Sequence, residues 1–201
     1  MTTLLQIKAS ISHDQGQSSQ LANNFVAAYR RGHPHAKVQV REVASADPVP
    51  HLNGERFGAF IAKPEKRTDA QHAVVAYSDA LIEELKRADI VVIGLPMYNF
   101  GVPSQLKAYF DHIARAGETF KYTATGPVGL LTGKKVYVFA ARGGLYAGSP
   151  LDTQTGYVRD FLAFLGMTDV QFVYAEGLAV SPESREAGLA KAAAEIASLA
   201  A

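Results

Sequence analysis

A polar loop near the start of the chain carries side chains suited to binding an anion. It holds Ser10, Ser12, Gly16, Gln17 and Ser18, and a helix is predicted to begin near Ser18. Hydroxyls and free backbone N–H groups at a helix N-terminus bind phosphate without a fixed cation. The spacings G-x-G-x-x-G and G-x-x-x-x-G-K-[ST] do not occur there. A serine-capped helix after an ordinary polar turn is the alternative.

A second segment, PMYNFGVPSQLK from Pro96 to Lys107, places Tyr98, Asn99 and Phe100 in succession. A planar heteroaromatic ligand would contact these side chains or their backbone groups, since Asn99 both donates and accepts hydrogen bonds. The alternative is an aromatic loop that only plugs the edge of the sheet.

A third segment, ARGGLYAGSP, begins at Ala141. Gly143 and Gly144 would let the backbone approach a flat ligand closely and point N–H donors at it. Arg142 would balance the negative charge that develops when such a ring is reduced. Glycines that serve a turn, beside a solvated arginine, are the alternative.

Aromatic residues also occur outside these three loops. Phe120 and Tyr122 fall in a Gly/Thr-rich stretch from Ala116 to Lys135, which is predicted to be a long loop. They would wall a substrate pocket, contact a partner subunit or simply pack. Glu83 and Glu84 are expected on a solvated helix face.

Composition excludes several other chemistries. The 201 residues contain no cysteine, so disulfides, thiol nucleophiles and thiolate metal sites are ruled out. The histidines lack metal-ligand spacing, and no metal is expected. With 20 basic and 19 acidic residues the net charge is +1, which argues against nucleic acid or an anionic membrane as partner. The absence of a signal-peptide pattern or a membrane-length apolar run predicts a cytoplasmic protein.

Strands and helices alternate along the chain and position the three loops. The predicted strands are Thr3–Lys8, Lys37–Val43 (nearer a sheet edge), Asp89–Leu95, Lys135–Ala141 and Val170–Ala175. The first predicted helix begins near Ser18. The others cover Glu55–Ile61, Thr68–Arg87, Ser104–Ala116, Thr153–Leu165 and Ser181–Leu199. Such alternation predicts a single α/β domain over residues 1–201, with a doubly wound, five-stranded parallel sheet in the order 2-1-3-4-5. Ligands bind such sheets at the carboxyl ends of the strands, where all three loops lie.

Several motifs together give a specific resemblance over essentially the whole chain. They are PMYNF, SQLKAYFDHIARAGETFKYT, GPVGLLTGKK, RGG and FLAFLGMTDVQFVYAEG. With them the sequence resembles the bacterial FMN-dependent NADH-azoreductases, which are also quinone reductases of flavodoxin-like fold.

The resemblance implies a homodimer with one FMN per subunit at the subunit interface. Ser10, Gln17 and Ser18 match phosphate-binding positions, and Gly16 stands where relatives often have a serine, so that only its N–H can serve. Positions along the isoalloxazine are matched by Met97, Tyr98, Asn99, Phe100, Arg142, Gly143 and Gly144, with Ala141 where a serine is common. Tyr122 and Phe164, with Phe120 nearby, match aromatics at the substrate face.

The expected activity is a ping-pong reaction in which NADH or NADPH reduces FMN, and a quinone or an azo compound then takes two electrons. No catalytic side chain is obligatory, because the flavin carries the chemistry. One alternative is an electron carrier of flavodoxin type that does not oxidise NADH itself. Such carriers are usually strongly acidic, unlike this chain. The other is a phosphodiesterase acting on acyl carrier protein, which would need a metal cluster or an activated nucleophile.

Overall fold

Alternating strands and helices build the molecule, and the computed structural model describes residues 1–200. The strands are β1 Thr3–Lys8, β2 Lys37–Glu42, β3 Ile90–Pro96, β4 Phe120–Thr123, β5 Gly126–Gly129, β6 Lys135–Ala141 and β7 Asp169–Ala175. The helices are α1 Gln17–Gly32, α2 Gly54–Ile61, α3 Asp69–Arg87, α4 Ser104–Ile113, α5 Thr155–Phe164 and α6 Pro182–Leu199.

Five parallel strands form the central sheet in the order β2-β1-β3-β6-β7. This confirms the predicted order 2-1-3-4-5 and the edge position of the second strand. The loops that follow β1, β3 and β6 therefore end at one edge of the sheet, side by side.

Both faces of the sheet are covered, because successive side chains of a strand point to opposite sides. Leu5 and Ile7 of β1 face a core that includes residues of α3, α4 and α5. Leu4 of the same strand, with Val92 of β3, faces a second core against α1 and α6. All seven residues of β3 are buried, as expected of a central strand.

Helix α3 begins as its sequence predicts. The hydroxyl of Thr68 accepts a hydrogen bond from the N–H of Gln71, and the Gln71 side chain accepts one from the Thr68 N–H. This reciprocal capping box fixes the first turn. The solvated position predicted for Glu84 of α3 is wrong, because its carboxylate is buried and pairs with Arg41 of β2.

The long loop predicted between Ala116 and Lys135 is instead largely an antiparallel hairpin of β4 and β5. Thr123 pairs with Gly126 around a two-residue turn, and the Thr123 hydroxyl donates to the Gly126 carbonyl at 2.7 Å. The strands are four residues long and β5 contains two glycines and a proline, so periodicity could not reveal them. Among residues 1–200, no helix is both long and apolar enough to cross a bilayer.

Candidate functional site

A cleft of about 260 Å³ opens where the loops after β1, β3 and β6 meet. Polar residues at one end and flat or small residues at the other share its lining: Ser10, Ser12, Gln15, Gly16, Gln17, Ser18, Pro96, Met97, Tyr98, Ala141, Arg142, Gly143 and Leu178. Three segments that are distant in sequence are thus brought together at the edge where doubly wound sheets bind ligands.

The polar end of the cleft is the uncapped N-terminus of α1. Gly16 precedes the helix in an extended conformation and provides no side-chain cap. Within residues 1–200, no hydrogen bond uses the N–H groups of Gln17, Ser18 or Ser19. The hydroxyls of Ser18 and Ser19 are buried and likewise have no partner among the described residues. Buried polar groups are normally paired, so this end has the unpaired donors that a phosphate needs.

Glycines bring the helix and the loop close to the sheet. A side chain at Gly94 of β3 would lie 3.1 Å from the Ser18 carbonyl oxygen, so the first turn of α1 packs directly on the strand. At Gly16, an added Cβ would collide with the side chain of Ser10. The absence of a side chain at Gly16 therefore leaves room for the Ser10 hydroxyl in its present position.

The other end of the cleft is formed by a tight turn after β3. Tyr98 and Gly101 exchange two backbone hydrogen bonds, at 3.2 and 3.0 Å. Between them, Asn99 and Phe100 both have positive φ, at 49° and 61°, as in a type I′ turn. Left-handed backbone is unfavourable for a residue with a side chain, above all for phenylalanine, and such strain concentrates at functional sites.

Tyr98 connects the two ends of the cleft. Its hydroxyl accepts a hydrogen bond from the N–H of Ile11 at 3.2 Å and lies 3.3 Å from the Ser10 hydroxyl. Tyr98 and Met97 both line the cleft. One side chain therefore ties the turn after β3 to the loop after β1.

Gly143 lines the cleft after β6, and Gly144 lies next to that lining. Their carbonyls accept hydrogen bonds from the N–H groups of Ala179 and Gly177, both at 2.9 Å, and this holds the loop against the segment after β7. Within residues 1–200, their own N–H groups donate to no acceptor. A Cβ at Gly144 would lie 2.6 Å from the ring of Tyr146, so a larger residue there would require the Tyr146 side chain to move.

Arg142 borders the cleft, and its charge is paired within the protein. The guanidinium is 0% exposed and forms ion pairs with Asp152 at 2.9 Å and Glu176 at 3.1 Å. It also lies 5.0 Å from the ring of Tyr174. Two carboxylates already balance its charge. Its Nε is buried and has no partner among the described residues, and the N–H groups of Gly143 and Gly144 are unpaired as well.

Hydrogen bonds hold both carboxylates of this cluster in place. Burial alone would raise the pKa of Asp152, but hydrogen bonds from Arg142 and Thr155 lower it below its ordinary value. One oxygen of Glu176 accepts from Arg142 and from the N–H groups of Tyr146 and Ala147, the latter two at 2.9 Å. The cluster thus fixes the loop that carries the two glycines.

The aromatic residues predicted at a substrate face lie away from this cleft in the single chain. Phe120 is 7% exposed and packs against Phe164, with ring centroids 4.4 Å apart, which favours the packing alternative. Tyr122 is 75% exposed and, with Phe57 and Ile61 of α2, borders a separate apolar groove of about 280 Å³.

Most of the predicted cofactor residues converge on the cleft. Asn99, Phe100 and Gly144 lie beside the lining rather than in it. Sequence reasoning missed Gln15, Pro96 and Leu178, which also border the cleft, and Gln154 and Glu176, which hold its loops. Pro96 and Gln15 adjoin predicted positions, so the sequence could have indicated them. Leu178 is an isolated leucine after the last strand, and nothing in the sequence marks it.

The parallel sheet and this cleft define a doubly wound protein that binds a flat ligand carrying a phosphate. A family model described as flavodoxin-like fold matches residues 2–200. A protein of Cellvibrio japonicus named FMN-dependent NADH:quinone oxidoreductase is 56% identical over 95% of this chain and 96% of its own. One of the same name from Burkholderia thailandensis is 55% identical over 99% and 100%.

Solved structures agree with this assignment. An azoreductase from Bacillus anthracis superposes with a TM-score of 0.91 at 31% identity, over 100% of this chain and 99% of its own. An FMN-dependent NADH-azoreductase from the same species, in complex with FMN, gives 0.89 at 30%, over 100% and 98%. The chain belongs to the flavodoxin-like family of FMN-dependent NADH:quinone oxidoreductases and azoreductases.

Proposed function

We propose that this protein binds FMN in the cleft and uses NADH to reduce quinones by two electrons. The observation that carries the proposal is the row of unpaired donors at the start of α1, which faces a wall formed by Met97, Tyr98 and Gly143. A phosphate at the first and a planar ring at the second match the two parts of FMN. Relatives that cover nearly the whole chain carry this activity in their names.

The residues that would hold FMN divide between its two ends. Ser10, Gln17 and Ser18, with the N–H of Ser19, would bind the phosphate through neutral donors and the helix dipole. Tyr98 and the N–H groups after Arg142 would meet the ring. When bound, FMN supplies the redox chemistry, taking a hydride from NADH and returning two electrons to the acceptor.

The lining contains few groups that could transfer protons. Of the described residues that border the cleft, the ionisable ones are Tyr98 and Arg142, and the guanidinium of Arg142 is held in ion pairs with Asp152 and Glu176. We therefore propose that water supplies the protons and that the protein contributes binding, orientation and N–H donors.

We further propose that NADH and the acceptor bind one after the other. A ring packed on the wall of the cleft presents one open face, which two further ring systems cannot share. Azo compounds would be cleaved to amines in two such rounds through a hydrazine, because breaking the bond takes four electrons.

A homodimer and a cytoplasmic location also stay predictions. The exposed side chains of Phe57, Ile61 and Tyr122 along one groove support a contact with a second copy, since such patches on a monomer mark interaction surfaces.

The cycle is tested by titrating purified protein with FMN, adding NADH without air and then adding a benzoquinone. NADH should bleach the bound oxidised FMN, and quinone should restore it. Bound FMN that stays oxidised would favour the electron carrier, and no FMN binding at micromolar concentration would refute the proposal. Phosphopantetheine release from acyl carrier protein by FMN-free enzyme would favour the phosphodiesterase.

Steady-state rates test the order and the stoichiometry. Double-reciprocal plots against NADH at several fixed quinone concentrations should be parallel, and intersecting lines would refute alternate binding. With an azo dye, two NADH should be consumed for each azo bond cleaved.

A further inference from the structure

Gln154 is a fully buried polar residue just before α5, outside the lining of the cleft. Its side-chain Nε2 donates to the carbonyl oxygens of Pro96 and Gly101, each at 2.9 Å. Pro96 is the last residue of β3, and Gly101 ends the strained turn that follows. One amide group therefore closes the loop that carries Met97, Tyr98, Asn99 and Phe100.

The chemistry of these contacts specifies an amide donor. Both partners are carbonyl oxygens, which only accept hydrogen bonds, so the facing group must be the NH₂. The remaining oxygen, Oε1, is buried and accepts nothing from the described residues. Leaving a buried acceptor unpaired is costly, so this glutamine is a poor choice for packing alone.

The neighbours of Gln154 extend the same attachment. The Thr153 hydroxyl donates to the carbonyl of Phe100, inside the turn. On the other side, Asp152 and Thr155 bind the guanidinium of Arg142, at 2.9 and 3.2 Å. Residues 152–155 thus hold both loops that border the ring end of the cleft.

We infer that Gln154 is a positioning residue for the cofactor, and this inference rests on the proposed function. It keeps Asn99 and Phe100 in their left-handed conformation, so that the turn has the shape of the bound state before the planar ligand arrives. Without the two hydrogen bonds, the turn relaxes toward ordinary backbone, and the fraction of molecules competent to bind falls. Apparent affinity falls in proportion to that fraction.

The test compares Gln154→Met, which keeps the length and volume but removes the donor, with the wild type. Ser78→Ala is the control, because the Ser78 hydroxyl donates to the buried carbonyl of His112, away from the cleft. FMN affinity is measured by fluorescence titration, the shape of the ring site by the visible circular dichroism of bound FMN, and stability by the Tm of the FMN-free protein.

Gln154→Met should weaken FMN binding at least about tenfold and change the visible dichroism. Ser78→Ala should lower the Tm but leave both FMN readouts unchanged. If Gln154→Met lowers the Tm while affinity and dichroism stay at wild-type values, the residue is merely structural and the inference is wrong. A wild type that binds no FMN would instead refute the proposed function, and the inference with it.

A second pair of variants covers the case in which Gln154→Met does not fold. Thr153 is exposed, so its substitution should spare the fold. Thr153→Val removes the hydroxyl that holds Phe100, and Thr153→Ser keeps it. Thr153 and Gln154 hold the same turn, so weaker FMN binding in the valine variant with wild-type affinity in the serine variant supports the inference that this attachment positions the turn. Wild-type affinity in both variants overturns it.

Discussion

Tyr98 shows how a single side chain sets the geometry of the cleft. Tyr98 lines the cleft with Met97, while its hydroxyl is hydrogen-bonded to Ile11 and Ser10 in the loop that leads to α1. The distance between the phosphate end and the ring end of a ligand is fixed, so the two loops must keep their spacing. A hydrogen bond between them does this more directly than packing.

We predict that Tyr98→Phe weakens FMN binding about fivefold, because one hydrogen bond contributes about 1 kcal/mol. Fluorescence titration measures the change. Tyr29→Phe is the matched control, since Tyr29 lies on α1 and stacks on His33 at the other end of that helix. An unchanged affinity in Tyr98→Phe would show that the hydroxyl does not hold the loops in register.

Residue types were predictable at this scale, but their partners were not. Serines before a helix, and two glycines after a buried strand, indicate a ligand-binding loop from the local sequence alone. The partners of Arg142 stand 10 and 34 residues further along the chain. Only the turn before α5 and the end of β7 bring them together, so local sequence could not indicate that Arg142 is buried between two carboxylates.

Among the elements, the β4–β5 hairpin depends on close backbone contact with the end of α5. An added Cβ at Gly129 of β5 would collide with the backbone of Leu165 and Gly166. Gly166 itself has a φ of 100°. Two glycines thus allow the hairpin, which bears Phe120 and Tyr122, to pack directly on the helix terminus.

We expect Gly129→Ala to destabilise the protein by about 1–3 kcal/mol, the usual cost of overpacking a tight contact. Urea unfolding gives the change in the free energy of unfolding. Gly156→Ala in α5 is the opposite control: nothing lies within 4 Å of its added Cβ, and alanine favours a helix by up to about 1 kcal/mol. Equal effects of the two variants would contradict the proposed role of the contact.

His112 of α4 makes stability depend on pH. It is fully buried between the rings of Phe60 and Tyr77, and this burial lowers its pKa below the ordinary value near 6.5. At a pH between the two pKa values, His112 is therefore protonated in the unfolded chain and neutral in the folded protein. The stability that this residue contributes is complete above about pH 6.5 and is lost as the pH falls toward the lower, folded value.

We predict that His112→Leu reduces the loss of unfolding free energy between pH 7.5 and pH 5.5. The histidine accounts for at most about 1.4 kcal/mol per pH unit of that loss. Urea unfolding measures the free energy of unfolding at both pH values. The prediction concerns the difference between these two free energies, not the stability at either pH. His72→Leu, at an exposed position of α3, is the control. A pH dependence that persists in His112→Leu would assign it to other groups.

Elements with strong periodicity or many buried β-branched residues were predictable to within a few residues. Examples are β3, with its seven buried residues, and α3, which has a capping box. The β4–β5 hairpin was not predictable. Its strands pack against each other and against α5, and they carry no apolar pattern of their own. Its stability is tertiary, and sequence periodicity reports local burial.

At the scale of the whole molecule, the aromatic residues that were predicted to form the substrate face lie away from the cleft of the single chain. Tyr122 is largely exposed, and Phe100 at the cleft margin is half exposed. If FMN lies between two copies of the chain, a second copy would cover such side chains and complete the ring site. Binding of FMN and association of the subunits would then be one coupled equilibrium.

We therefore predict that FMN tightens the dimer. By linkage, the factor by which dimerisation strengthens FMN binding must equal the factor by which FMN strengthens dimerisation. Sedimentation velocity over a dilution series should give a lower dimer dissociation constant for the FMN-loaded protein than for the FMN-free protein, by about 5- to 150-fold for a coupling of usual size. Tyr122→Ser should weaken association in the loaded protein, whereas Val180→Ser, an exposed apolar residue outside the groove, should not. Equal dissociation constants with and without FMN would place the whole cofactor site within one chain.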